Sequence, residues 1–166
     1  MTFDTYIGID YGGAGDATAR LRGLQVYAAE DGAPRPVRAY ADEQRMQWNW
    51  CRKEIAEHLI RLAADGVRFI AGIDHAFSLP MAYLRRHQLG PWDSFLDDFI
   101  LHWPTHKDAT TVESLRDANA AHMGCRGELR LCERWTGSAK SVFDFDVQGQ
   151  VAKSTHAGIP WLWHIR

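Results

Sequence analysis

The sequence carries no excess of positive charge, no paired cysteines and no long apolar run, and each absence narrows what the chain can do. Lysine and arginine together number 19 against 21 aspartates and glutamates, a formal charge of -2. A chain so balanced builds no broad positive field to gather phosphates, so any nucleic-acid contact is expected to be local. The three cysteines, Cys51, Cys125 and Cys132, are odd in number and share no short spacing. They suit reduced thiols and a cytoplasmic setting rather than a disulfide framework. No apolar stretch approaches the roughly 20 residues that cross a bilayer, so no membrane span is expected. The opening MTFDTYIGID leaves no room for a targeting or lipidation signal before the first strand. G-x-S-x-G, Walker A and G-x-G-x-x-G are all missing, which removes the common hydrolase, P-loop and dinucleotide fingerprints.

What is present reads as an α/β domain. Tyr6–Asp10 is a short apolar strand stopped by the small residues 12–15. Residues 17–30 alternate toward Asp31-Gly32, a hairpin turn leading into PRPVRAYAD, which predicts two antiparallel strands. Met46, Trp50, Ile55, Leu59 and Leu62 fall near helical spacing between Glu43 and Asp65, predicting a long amphipathic helix closed by Gly66. VRFIAGI, residues 67–73, reads as a parallel strand buried on both faces and ends at Asp74-His75. Residues of about 81–140 read as a helical insertion, and 142–166 as a short aromatic stretch followed by a helix bent near Pro160.

The feature that carries chemistry is a repetition. I-G-I-D at 7–10 and A-G-I-D at 71–74 are two apolar strands that each end in an aspartate. Ligands bind at the carboxyl ends of such strands. A hairpin followed by a right-handed helical crossover would set the strands side by side and parallel, with Asp10 and Asp74 at one rim. Two close carboxylates repel unless a cation bridges them, and Mg²⁺ or Mn²⁺ prefers such oxygen ligands. Strand-end aspartates also cap helices and satisfy turn amides, so each alone is weaker than the pair.

IGIDYGGAG, FIAGIDHAFSLP and VQGQVAKSTHAGIPWLWHIR, in that order around a hairpin and a helix, resemble the DUF429-type family of predicted ribonuclease H-like nucleases. The resemblance implies one ribonuclease H-like domain over residues 1–166, its sheet a mixed one of antiparallel hairpin plus parallel strands, with flanking helices. It further implies a two-metal phosphodiester site in which Asp10 and Asp74 are the first two metal carboxylates. It also implies a further acidic strand after the GIPWL helix, so the chain is expected to be a short or truncated form.

Other residues join the candidates. His75 follows Asp74, and Ser78 follows soon after; both are expected to face the cleft as acid-base or phosphate-contacting groups, although a rim histidine is also simply soluble. Lys153 and His156, with Ser154 and Thr155 between them, bring a cation, hydroxyls and an imidazole together and belong to the segment that carries the resemblance. Asp144 and Asp146 alternate with Phe143 and Phe145, so on a strand they share a face; Asp146 is a third candidate metal ligand, and a half-exposed edge strand has the same pattern. His102 and His106 are spaced like a helical zinc pair, but Pro104 between them and the missing glutamate argue against it. Two further readings compete with the nuclease. One is a catalytically incomplete domain that binds a partner or forms a homodimer through the C-terminal helix, marked by an exposed apolar face at Ile159, Trp161, Leu162 and Ile165. The other is a phosphate binder of the actin and sugar-kinase kind, using Asp10-Tyr11-Gly12-Gly13, which normally needs two such domains.

Overall fold

The computed structural model describes residues 2–39, 49–116, 118, 120–146 and 151–166. Strands β1 (Thr5–Asp10), β2 (Gln25–Ala29), β3 (Arg35–Val37) and β4 (Phe69–Ile73) form one mixed sheet in the order β3-β2-β1-β4. β1 runs antiparallel to β2, and β2 to β3, across the hairpin turn where Gly32 takes a φ of 114°. β1 and β4 are parallel neighbours, with Ile9 opposite Ile73.

β2 is shorter than the alternation from Ala17 suggests. The backbone before it pairs with the entry to the next helix instead: Leu21 N–H bonds the Trp50 carbonyl at 3.2 Å, and Lys53 N–H bonds that of Ala17 at 3.2 Å. That helix, α1 (Arg52–Ala64), starts later than the periodicity from Glu43 predicts. Residues 40–48, including Met46 and Trp48, lie outside the described residues. The Glu54 side chain reaches back to Cys51 N–H and is gripped in turn by the Arg20 guanidinium. At the other end Gly66, with φ of 74°, closes the helix: its N–H and that of Val67 bond the carbonyls of Ala63 and Leu62.

Trp50, Ile55 and Leu59 bury Ile7, Ile9 and Val26 on one face of the sheet. The other face stays open, with Tyr6, Tyr27 and Ile70 each 40–50% exposed. This corrects the expectation that β4 is buried on both sides: the helices in contact with the sheet cover only the face of Ile7 and Ile9, and Ile70 and Gly72 look outward.

The segment after β4 carries α2 (Met81–Arg86), α3 (Trp92–His102), α4 (Val112–Arg116), a 3-10 turn (Ala120–His122) and α5 (Leu131–Trp135). Helix α6 (Val151–Ile165) packs on both α1 and α3, joining the sheet to a second core of Phe95, Phe99, Trp103, Phe143, Phe145 and Ile159. Ile159 and Trp161 are buried and Leu162 and Ile165 half-buried, so none of the four is an exposed apolar residue. No helix among the described residues is long and apolar enough to cross a membrane.

α6 runs through Pro160. Proline has no N–H, so the carbonyl four residues back, that of His156, loses its helical partner. The fully buried Thr105 hydroxyl donates to it at 3.0 Å. Thr105→Val keeps the shape and removes the donor. It is expected to lower stability by about 1–3 kcal/mol, the penalty of an unpaired buried carbonyl, read as a lower urea midpoint with an unchanged denaturant slope.

Candidate functional site

The parallel ladder continues one step past β4, because Asp74 N–H bonds the Ile9 carbonyl at 2.9 Å. Asp10 and Asp74 therefore leave adjacent strands at the same rim, both exposed. By strand alternation Asp10 shares the open face of Tyr6 and Gly8, away from the core that holds Ile7 and Ile9. Both aspartates line a cleft of about 410 Å³, whose far wall is the first turn of α6 with Lys153 and Ser154, and whose floor includes the loop Gly12–Ala14.

That loop is fixed from below by Arg52. Its fully buried guanidinium donates to the carbonyls of Gly12, Ala14 and Gly15 at 3.2, 2.8 and 2.8 Å. Burial holds its pKa below the ordinary arginine value, partly offset by Tyr11 and Asp16. From the α6 side the approach is as close: a Cβ on Gly13 would fall 2.2 Å from the Lys153 backbone. Only glycine lets the β1 turn touch the helix there. The third support is Thr155, buried, whose hydroxyl accepts the Ala76 N–H at 3.1 Å and so anchors the segment just past Asp74 to α6. No local signal in the sequence marks Arg52, because the backbone carbonyls it serves lie about 40 residues earlier in the chain.

Of the candidate residues, Asp10, Asp74 and Lys153 share the cleft. Lys153 forms an ion pair there with Glu113 of α4 at 2.5 Å, both side chains about half-exposed. His75 does not face the cleft as expected. It is 7% exposed, set edge-on to Tyr11, stacked on Phe77 and packed against α6 where a Cβ at Gly158 would meet its ring at 2.5 Å. Burial pushes its pKa down to about 4, against the raising effects of the Ala76 carbonyl and Asp74. His156 is likewise interior: fully buried among Phe99, Trp103, Phe143 and Phe145, its Nδ1 on the Ala152 carbonyl, its pKa also lowered by burial to about 4. Both pack inside this fold: His156 by its place on the buried side of α6, His75 by the bend after β4 that turns its ring under α6. Asp146 does not line the cleft either. Residues 142–146 form no strand, and its carboxylate is held by Arg116 at 2.8 Å and by Arg126. Ser78 is half-buried outside the cleft lining.

Comparison of the chain with protein-family models, with curated proteins and with solved structures found no match. The functional reading therefore rests on the chain's own geometry.

A second group of ligand-type residues lies in the helical segment that follows β4. Asp98, His102 and His122, all half-buried, bring their ligating atoms within 4.8 Å of one another and could hold a metal ion. Sequence spacing sets His102 against His106, but its helical neighbour in this group is Asp98, one turn earlier. His106 instead sits against His164 and Trp161. Burial, then the neighbouring His102, holds the pKa of His122 below its ordinary value.

Proposed function

We propose that this chain is a ribonuclease H-like, metal-dependent phosphodiester hydrolase whose Asp10 and Asp74 hold a Mg²⁺ or Mn²⁺ ion. The observation that carries the reading is the parallel register of β1 and β4, which ends both strands in an exposed carboxylate on one cleft. The donor set fits one hard divalent cation: two carboxylates supply oxygen and the open cleft leaves room for water and phosphate. Asp10 and Asp74 are the only carboxylates lining the cleft among the described residues, so a pair of ions, as the family resemblance implies, has too few ligands there.

A cation so bound lowers the charge of a phosphodiester and the pKa of a water beside it. Lys153 supplies the positive charge that orients the phosphate from the opposite wall. Its ion pair with Glu113 is half-exposed, an arrangement worth about 0–1 kcal/mol, so an incoming phosphate can take over the ammonium. Gly12–Ala14 and Ser154 shape the floor and wall. With a formal charge of -2, the chain meets nucleic acid locally, at this cleft, and not along a basic track.

Mn²⁺ calorimetry on the wild type and on Asp10→Asn/Asp74→Asn tests the reading. We expect wild-type binding that weakens by roughly 100-fold or more in the double variant, since losing ligands exceeds the 10–100-fold effect of losing their supports. DNA and RNA cleavage in Mn²⁺ should disappear with it. Equal Mn²⁺ affinity in the two proteins would sink the proposal.

A further inference from the structure

The Asp98, His102 and His122 group has the chemistry of a different metal from the cleft. Asp98 and His102 stand one turn apart on α3, and His122 reaches them from the 3-10 turn, so two separate elements of this helical segment converge on one point. His102 Nε2 lies 3.7 Å from Asp98 Oδ1. That is too long for a hydrogen bond and near the spacing of two ligands on one ion, since bonds of about 2.0–2.1 Å in a tetrahedron set ligands roughly 3.3–3.4 Å apart.

The surrounding residues hold His122 in this position. Its ring lies face to face with that of His102, centroids 3.3 Å apart, and near that of His87 at 4.9 Å, and the Tyr83 hydroxyl donates to its carbonyl at 3.2 Å. For both imidazoles to ligate one ion, one ring of the stacked pair turns so that the two in-plane lone pairs converge. Its Nδ1 is sealed from solvent and has no hydrogen-bond partner among the described residues. A buried imidazole nitrogen left unpaired is costly, and a bound ion is one partner that satisfies it.

We propose that Asp98, His102 and His122 form a binding site for a divalent transition metal of the zinc type, with one coordination position left to water. Two imidazoles and one carboxylate suit Zn²⁺ and its first-row neighbours, whereas Mg²⁺ and Ca²⁺ ask for six or more oxygens. Three protein ligands with an open fourth position is the pattern of reactive rather than purely structural zinc. None of the three residues lines the Asp10–Asp74 cleft, so this is a separate centre. An ion here also clamps α3 to the 3-10 turn and stiffens this segment.

Co²⁺, which reports four-coordinate sites by intense visible absorption, tests the site on the full chain, alongside Zn²⁺ thermal shifts. We expect one Co²⁺ per chain with tetrahedral-type absorption, displaced by Zn²⁺, and a rise of about 5–10 °C in the unfolding midpoint when Zn²⁺ is at a hundred times its Kd. Both signals should persist in Asp10→Asn/Asp74→Asn, which separates this site from the cleft, and weaken by roughly 100-fold in His102→Gln/His122→Gln. Should that variant lose its native circular dichroism, Asp98→Asn decides: tenfold or more weaker Co²⁺ binding supports the site, and unchanged binding overturns it. Wild-type spectra that match aqueous Co²⁺, or equal binding in a folded histidine variant, would equally overturn it.

Discussion

Arg52→Met is expected to lower stability by about 3 kcal/mol or more and to weaken Mn²⁺ binding at the Asp10–Asp74 cleft although Arg52 touches neither aspartate. The guanidinium is fully buried and serves three backbone carbonyls of the turn that follows β1. Methionine fills a similar volume and offers no donor. Two responses are then open to the turn. If it stays in place, the carbonyls of Gly12, Ala14 and Gly15 face a side chain that cannot bond them, each at about 1–3 kcal/mol when water is kept out. If it swings outward to reach water, stability falls less, but the floor of the cleft leaves Asp10 and the contact of Gly13 with α6 opens. Urea denaturation reads the first response and Mn²⁺ calorimetry the second. Arg52→Lys should recover only part of either loss, because a single ammonium cannot reproduce a planar fork reaching three acceptors. A methionine variant with native stability and native Mn²⁺ affinity would show that the turn holds itself.

The contrast between Arg52 and the aspartates explains what the sequence made legible. β1 and β4 could be read because their signal is local: a short apolar run, a terminal aspartate, and a hairpin and helix between them that allow a parallel return. The topology β3-β2-β1-β4 matches that reading. The misreadings arise where tertiary partners outvote local pattern. Ala17–Leu24 alternates like a strand, yet its backbone groups are taken by Ala17–Lys53 and Leu21–Trp50 bonds. VRFIAGI is largely apolar, yet Ile70 and Gly72 face out because no helix among the described residues covers that face of the sheet. His75 and His156 sit beside motif residues in sequence, but on their elements they point into the core. Asp98 and His122 went unnoticed as partners of His102 because the chain between α3 and the 3-10 turn has no spacing that announces a shared site.

Acidification from pH 7 to pH 5 is expected to remove about 4 kcal/mol of stability through His75 and His156 alone. Burial lowers both to about 4 in the folded chain, from an ordinary 6.5. The unfolded chain therefore takes up protons first, as the pH drops through 6.5, while the folded chain resists until about 4. In that window the unfolded state binds more protons, so stability falls with falling pH; above 6.5 neither state is charged and the effect vanishes. A group shifted this far contributes about 2 kcal/mol of the loss by pH 5. His106, also pushed to about 4 by burial and by His164 and Lys107, is half-exposed and adds less. Among the described residues the partial rescuers are few: His156 has the Ala152 carbonyl within an aromatic nest, and His75 has the Ala76 carbonyl and the adjacent Asp74. A loss of this size is a large share of the 5–15 kcal/mol typical of a domain, so urea midpoints measured at pH 7, 6 and 5 should fall steeply. His156→Phe, which keeps the ring among Phe99, Trp103 and Phe145 and removes its proton, should flatten the slope by roughly half. Midpoints that stay level between pH 7 and 5 would mean that the folded chain accommodates imidazolium at these positions.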